Sequence, residues 1–262
     1  MAMVPAVATN HLDRIYKLYT VRIHGGLMVS KDKKSHCMED LRMRILRQDI
    51  SPGAILDEST LCEEYGVSRT PMREVFQRLG GEGYLELEQN RGAKVASMDL
   101  AVMRMFFQTA PLIYANIARL AAENRRSSEI SALKETQIAF RRATENGEAG
   151  EAALCNHVFH EQIGEMAHNP YLLTSLNRML IDHTRLSQTF YRPQSADERL
   201  RVKKACEQHD EMIVAIERQE SALAIDLTLK HWDLSRDRLE RFVTPDPLPL
   251  DVISMKDHRH AL

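Results

Sequence analysis

From Ser97 to Phe242 the chain carries little other than amphipathic helical pattern, and that stretch decides most of what it can fold into. Apolar residues recur three and four positions apart, and the breaks fall where helix ends are chemically marked. Ser97 precedes a long helix to Glu123, and Ser127 caps a second that ends near Asn146 and Gly147. A third runs from about Glu148 to Ala167, and Asn169 and Pro170 open a fourth that ends before Pro193. Ser195 caps a fifth, ending near Arg218, and a sixth begins near Glu220 and carries to Phe242. Pro111 lies inside the first and is expected to kink it. Six helices with short connections predict an antiparallel bundle over residues 98–242. No segment approaches the ~18 uninterrupted apolar residues of a membrane span, so the chain reads as cytoplasmic with no membrane partner.

The region before the bundle has a different texture. Met38, Leu41, Ile45 and Leu46 keep a helical period until Ser51, Pro52 and Gly53 stop it. A short helix follows over Asp57 to Tyr65, and Gly66 makes a turn. Ser68 then stands as an N-cap, with Pro71 in the first turn, where its missing N–H costs little. Val75, Phe76 and Leu79 form the buried stripe of this third helix. Two short alternating segments, Tyr84 to Glu88 and Ala93 to Ala96, flank residues of hairpin-turn type, Gln89 to Gly92. Three short helices and a small hairpin over residues 37–97 predict a winged helix-turn-helix. The fold class is therefore mainly α, a winged helix-turn-helix followed by an all-α six-helix bundle.

Residues 1–36 form a basic extension, with six lysines and arginines against two aspartates. Gly25, Gly26 and the polar stretch Ser30 to Ser35 interrupt any helical period there, so a loosely ordered arm is expected. Residues 243–262, with Pro245, Pro247 and Pro249, read as an extended tail. Four cysteines without CxxC spacing fit a reducing compartment rather than a disulfide framework.

In a helix-turn-helix the start of the second helix of the motif enters the major groove. Here that start is Ser68, Arg69, Thr70, Pro71, Met72 and Arg73. Arg69 and Arg73 lie four apart, on the face opposite Val75 and Leu79. A guanidinium fork suits guanine O6 and N7 or a phosphate. Ser68 and Thr70 sit where helix N–H groups favour an anion. Arg91 and Lys94 are on the wing, placed for backbone or minor-groove contact. The charge balance alone argues weakly for nucleic acid. The whole chain has a net charge of -2, and residues 37–97 hold eight lysines and arginines against eleven acids. Affinity must come from a few well-placed cations and from doubling in a dimer.

The strings LRMRIL (41–46), SPGAILDE (51–58), YGVSRTPMRE (65–74), LGGEGYL (79–85) and RGAKV (91–95) resemble the N-terminal domain of GntR-family bacterial transcription regulators. The resemblance implies that a homodimer binds a short palindromic operator in double-stranded DNA. It also matches Arg69, Thr70 and Arg73 to base- and phosphate-contacting positions. Ser59 stands where some members carry another DNA-contacting arginine, which implies a weaker contact there.

Within the bundle, three stripes each set one or two polar residues among apolar ones. Asn156, His160 and Ile163 fall at i, i+4 and i+7, as do His209, Ile213 and Ile216, while Leu223, Leu227 and His231 fall at i, i+4 and i+8. A single histidine on such a face is usually a hydrogen-bonded core residue. Three on separate helices of one bundle can converge, and imidazoles with an oxygen ligand suit a divalent metal. His157 and His168 lie off the stripes and read as surface residues. His183 has no supporting pattern.

This half resembles the FCD effector domain of the same regulators, in the six-helix VanR-like group. The resemblance implies a metal held by Asn156, His160, His209 and His231, zinc or nickel by ligand type, and a small organic acid as effector. His209 and His231 keep the family's separation of 22 residues. The usual aspartate is Asn156 here, a weaker ligand that leaves the site one unit more positive. The arginine and glutamate that often precede the Leu-Ala-Ala of the first effector helix are replaced by Pro111 and Tyr114. Arg185, on the fourth helix, is the substitute candidate for gripping the effector.

The leading expectation is a ligand-responsive regulator, most often a repressor in this family. The alternative from another class is a metalloenzyme, in which three histidines with open positions activate water. Glu161 and Glu207, one and two positions from ligand candidates, point roughly 100° and 200° away on an ideal helix, so no inward carboxylate is left as general base. A metal that is purely structural, or is itself the signal, stays open.

Overall fold

The computed structural model describes residues 30–88 and 92–243. The first helix, α1 (Ser30–Leu46), buries Cys37, Leu41 and Ile45 at four-residue spacing. It starts earlier than its sequence suggests. Ser30 to His36, expected in a loose arm, are helical, because none of these residues forbids a helix and tertiary ties hold them. Lys34 pairs with Glu74, and Lys33 Nζ lies 3.4 Å from the Gly66 carbonyl. The rest of the basic extension, residues 1–29, lies outside the described residues, as does the tail from residue 244.

After a turn, β1 (Ile55–Leu56) leads into α2 (Glu58–Tyr65), which Asp57 caps by accepting from the Thr60 N–H at 2.7 Å. Gly66 ends α2 in the left-handed conformation, φ 60°, which a residue without a Cβ adopts freely. Helix α3 (Arg69–Glu82) follows, with Ser68 at its N-cap position but making no capping hydrogen bond through its side chain. Strands β2 (Leu85–Glu88) and β3 (Gly92–Val95) form the wing. The sheet is antiparallel with order β1-β3-β2, so the short β1 adds an edge that two-strand reading missed. Leu41, Ile45, Leu61, Met72, Val75, Leu79 and Val95 close the core of this winged helix-turn-helix.

Six helices complete the described chain: α4 (Leu100–Asn124), α5 (Ser127–Glu145), α6 (Ala149–Met166), α7 (Pro170–Phe190), α8 (Ala196–Glu217) and α9 (Ser221–Val243). The capping signals are as the residue types dictate. Asn169 accepts from Tyr171 and Leu172 N–H ahead of Pro170, and Ser195 accepts from Glu198 N–H. Asp99 rather than Ser97 caps α4, accepting from Ala101 and Val102 N–H. Helix α4 is assigned continuously through Pro111. Phe106, Tyr114, Ile117, Phe159, Leu176, Leu180, Ile216 and Trp232 pack the bundle interior.

The two halves meet along α7. Leu154 of α6 and Ile181 of α7 are buried in the core of the winged motif rather than in that of the bundle. Gln188 Nε2 donates to the Leu46 carbonyl at 3.2 Å, at the end of α1. Arg178 lies over Gly83, the residue that ends α3 at φ 91°. A side chain there would both strain the backbone and displace Arg178. Gly83→Ala is therefore expected to lower stability by ~1–2 kcal/mol, read as a lower urea midpoint; an unchanged midpoint would show that the junction relaxes freely.

Candidate functional site

His160 of α6, His209 of α8 and His231 of α9 converge in the bundle, and their ligand-capable nitrogens lie within 4.8 Å of one another. The sequence stripes place them there because each occupies the inward face of its helix, and all three are buried. His209 stacks flat on Phe159, ring centroids 3.9 Å apart, so its ring plane is fixed by packing.

Hydrogen bonds fix the proton of His209. Gln137 Nε2 donates to the Cys206 carbonyl at 2.9 Å and to Asp210 Oδ1 at 3.0 Å, two groups that only accept. Its Oε1 therefore faces His209 Nδ1, at 3.0 Å, and that nitrogen must be the donor. His231 Nδ1 lies 3.1 Å from Gln208 Oε1. His209 is then left with a lone pair on Nε2, which faces His231 Nε2 at 3.3 Å; when His231 donates from Nδ1 to Gln208, the two lone pairs oppose each other. Such lone pairs repel unless a cation or a proton lies between them. An amide or carboxylate accepting from the far ring nitrogen is the usual support of a metal-bound histidine.

The remaining donors fit the same reading. His160 Nε2 and Asn156 Oδ1 are buried with no hydrogen-bond partner, and one turn of α6 separates the two residues. Tetrahedral zinc, with nitrogens at ~2.0–2.1 Å, holds two of them about 3.4 Å apart, close to the separation found here. Three imidazoles and an amide oxygen thus suit a divalent metal.

Burial holds these imidazoles neutral. Desolvation depresses His160 and His209 well below the ordinary histidine range, with the neighbouring histidines adding to it. Desolvation alone pulls His231 down to about 4. Neutral rings are what a metal requires.

Sequence reading overlooked the neighbours of this cluster. His183 of α7 is buried, and its ring centroid is 5.3 Å from that of His160. Its Nδ1 lies 2.8 Å from the hydroxyl of Tyr114 on α4. Burial first, and then His231 and His157, pull its pKa down to about 3. Gln137, which sets the tautomer of His209, and Gln208, beside His231, were also missed. His157 is half-buried rather than on the surface, with Nδ1 2.7 Å from Thr184 Oγ1. His168 is exposed, as expected, and pairs with Glu129 at 3.2 Å.

Arg185 does not lie among the histidines. It follows His183 by two positions, roughly 200° round the helix, and is fully buried at the junction between the two halves. Its Nη1 donates to the Ala96 carbonyl at 2.7 Å, Nη2 pairs with Asp182, and its own carbonyl accepts from Gln48.

The other candidate surface lies at the start of α3. Ser68, Arg69, Thr70 and Arg73 are all exposed. Arg69 and Arg73, with side chains 70% and 65% exposed, both approach Glu58 of α2 through Nε, at 3.9 and 3.0 Å. Among the described residues neither makes a further hydrogen bond or ion pair, so each fork stays turned to solvent. Glu58 thus orients two guanidinium groups one helical turn apart. Lys94 is more engaged than expected: it lies opposite Glu86 across the β2–β3 ladder and pairs with it at 2.9 Å. Arg91 lies outside the described residues.

A winged helix-turn-helix with an outward arginine pair, joined to a helical bundle with a buried histidine centre, defines the class of a DNA-binding regulator with a separate sensory half. Comparison with known proteins agrees. Residues 33–95 match the gntR family of bacterial regulatory proteins, and residues 108–234 match the FCD domain. The chain belongs to the gntR family and carries an FCD domain.

It is 26% identical over 193 residues to the galactonate operon transcriptional repressor of Escherichia coli (strain K12), covering 64% of this chain and 83% of that one. It is 24% identical over 140 residues to the transcriptional regulator YdhC of Bacillus subtilis (strain 168), covering 53% of this chain and 62% of YdhC. The fold is similar to that of E. coli McbR/YncC, with a TM-score of 0.68, 19% identity, and coverage of 82% and 99%. The family and these relatives are transcription regulators, not enzymes.

Acid should destabilise the metal-free protein. The folded pKa values of His183 and His231, about 3 and about 4, lie below the ordinary value of 6.5, so the unfolded chain binds more protons between those limits. Stability is then expected to fall as pH drops from 6.5 towards 4, by at most about 1.4 kcal/mol per pH unit for each such histidine. Urea titrations across that range check it; a flat profile would contradict neutral burial.

Proposed function

We propose that the protein is a homodimeric, ligand-responsive transcriptional repressor that binds a palindromic operator in the cytoplasm. Its FCD half senses a small organic acid through a divalent metal. The observation that carries the DNA half is the outward pair Arg69 and Arg73, aligned by Glu58 at the start of α3. Ser68 and Thr70 beside them offer hydroxyls to a phosphate, and Lys94, with Arg91 by sequence, supplies charge on the wing. A lone winged motif covers too little operator for tight selective binding, so a dimer is needed. Met105 and Leu112, exposed seven residues apart on α4, offer apolar surface for it.

For the sensing half, His160, His209, His231 and the amide oxygen of Asn156 would hold the metal, with zinc or nickel best suited to these donors. When bound, such an ion supplies positive charge to which a carboxylate coordinates. Gln137 keeps the Nε2 lone pair of His209 turned inward, and Gln208, when it accepts from Nδ1, does the same for His231. Tyr114 and His183, rather than Arg185, flank the cluster and offer neutral hydrogen-bonding groups. An effector changes operator affinity only by binding the dimer's arrangements unequally.

Arg73→Ala is expected to weaken operator binding by ~1–3 kcal/mol in a gel-shift titration; unchanged affinity would remove Arg73 from the interface. Replacing His209 and His231 together by alanine should abolish bound metal in elemental analysis, and Asn156→Asp should slow its loss to a chelator. A wild-type protein that takes up no divalent metal would leave these histidines as core residues only.

A further inference from the structure

The two amides beside the histidine centre are held differently. Gln137 of α5 is locked. Its nitrogen donates to the Cys206 carbonyl at 2.9 Å and to Asp210 Oδ1 at 3.0 Å, and Asp210 Oδ2 pairs with Arg141, one turn further along α5. Turning that amide over would set its oxygen against two acceptors. His209 is therefore fixed as a donor from Nδ1 and an acceptor at Nε2.

Gln208 of α8 has no such tie. Its Oε1 lies 3.1 Å from His231 Nδ1, and among the described residues it makes no other hydrogen bond. It also lines a groove of about 690 Å³ along α8 and α9. That groove offers partners to either end of an amide, Arg201 and Lys204 as donors and Glu207 and Glu211 as acceptors. The oxygen and nitrogen of an amide differ little in size, so turning it over leaves the packing alone.

A neutral imidazole has one donor and one acceptor nitrogen, so the lock on His209 leaves His231 two arrangements. In one, His231 donates from Nε2 to His209 Nε2, 3.3 Å away, and its Nδ1 accepts from Gln208 Nε2. Every nitrogen of the two rings then has a partner without a metal. In the other, His231 donates from Nδ1 to Gln208 Oε1 and the two Nε2 lone pairs meet, which is the arrangement a cation needs. Water also reaches His231 more readily, at 9% exposed against 0% for His209.

We propose, on the reading of this centre as a metal site, that Gln208 is a switching residue that positions His231. Its amide donates to His231 Nδ1 in the metal-free protein, and turns over to accept from Nδ1 when a divalent cation replaces the proton between His209 and His231. One proton leaves Nε2 for water and one from water joins Nδ1, so His231 stays neutral and no net proton is released. His209 keeps its tautomer throughout.

The test uses the full-length protein, isotope-labelled at the histidine ring nitrogens, in long-range proton–nitrogen correlation spectra at about pH 8, above the histidine range. Variants lacking His209 or His231 assign the signals. In the metal-free wild type the proton is expected on Nδ1 of His209 and on Nε2 of His231. One equivalent of zinc should move the His231 proton to Nδ1 and leave that of His209 in place. Gln208→Glu, whose carboxylate only accepts, should hold the His231 proton on Nδ1 before zinc is added. Gln208→Met, which cannot accept, should lower zinc affinity by about tenfold or more in chelator competition. A His231 proton on Nδ1 in the metal-free wild type, the same His231 tautomer before and after zinc, or unchanged zinc affinity in Gln208→Met would overturn the switch and leave the metal site standing. Zinc that shifts no histidine signal would overturn both.

Discussion

Two imidazole nitrogens face each other across 3.3 Å, and with both rings donating from Nδ1 their opposed lone pairs impose a condition on everything around them. The arrangement is costly in a dry interior, and the chain nevertheless fixes its His209 side from several directions. Gln137 is itself tied to Cys206 and Asp210, so it has no freedom to offer His209 the other face of its amide. Phe159 holds the ring of His209 flat. Residues from α5, α6, α8 and α9 all contribute, and hydrophobic packing alone would not require any of these polar groups. A half-satisfied polar network is worse for stability than an apolar core, and that cost is the physical ground for proposing a cation at this centre.

The opposite economy governs the DNA-facing surface. There the cations are few, the local charge is negative, and the arginines are held by an acid of the same motif. Glu58 lowers the net field there, and it bonds Arg73 at 3.0 Å while Arg69 approaches it only to 3.9 Å. With a local net negative charge, long-range attraction contributes little at this surface, and contact geometry has to do more.

How much of this could be read from the residues varies with how many sides of each element are covered. The six bundle helices were legible to within a few residues, because each has one apolar face and chemically marked ends. The convergence of His160, His209 and His231 was legible for the same reason. His183 was not. From Leu180 to Gln188 every residue of α7 is buried, since the bundle covers one side and the winged motif the other. Without an exposed face there is no period, and neither His183 nor Arg185 could be given a direction. The early start of α1 escaped notice because its first residues are polar and gain their hold from Lys34 and Glu74, forty positions apart. Strand β1, only two residues long, carries too little alternation to detect.

The doubly covered turn of α7 has a mechanical corollary. His183 reaches the histidine centre and Arg185 grips the Ala96 carbonyl just past the wing, with a single intervening residue. No loop separates the two contacts, so there is no slack in which a small rotation could dissipate. A shift of this helix by a fraction of an ångström at one end of that pair must be taken up at the other. The bundle and the winged motif are thus tied to the same turn of one continuous helix.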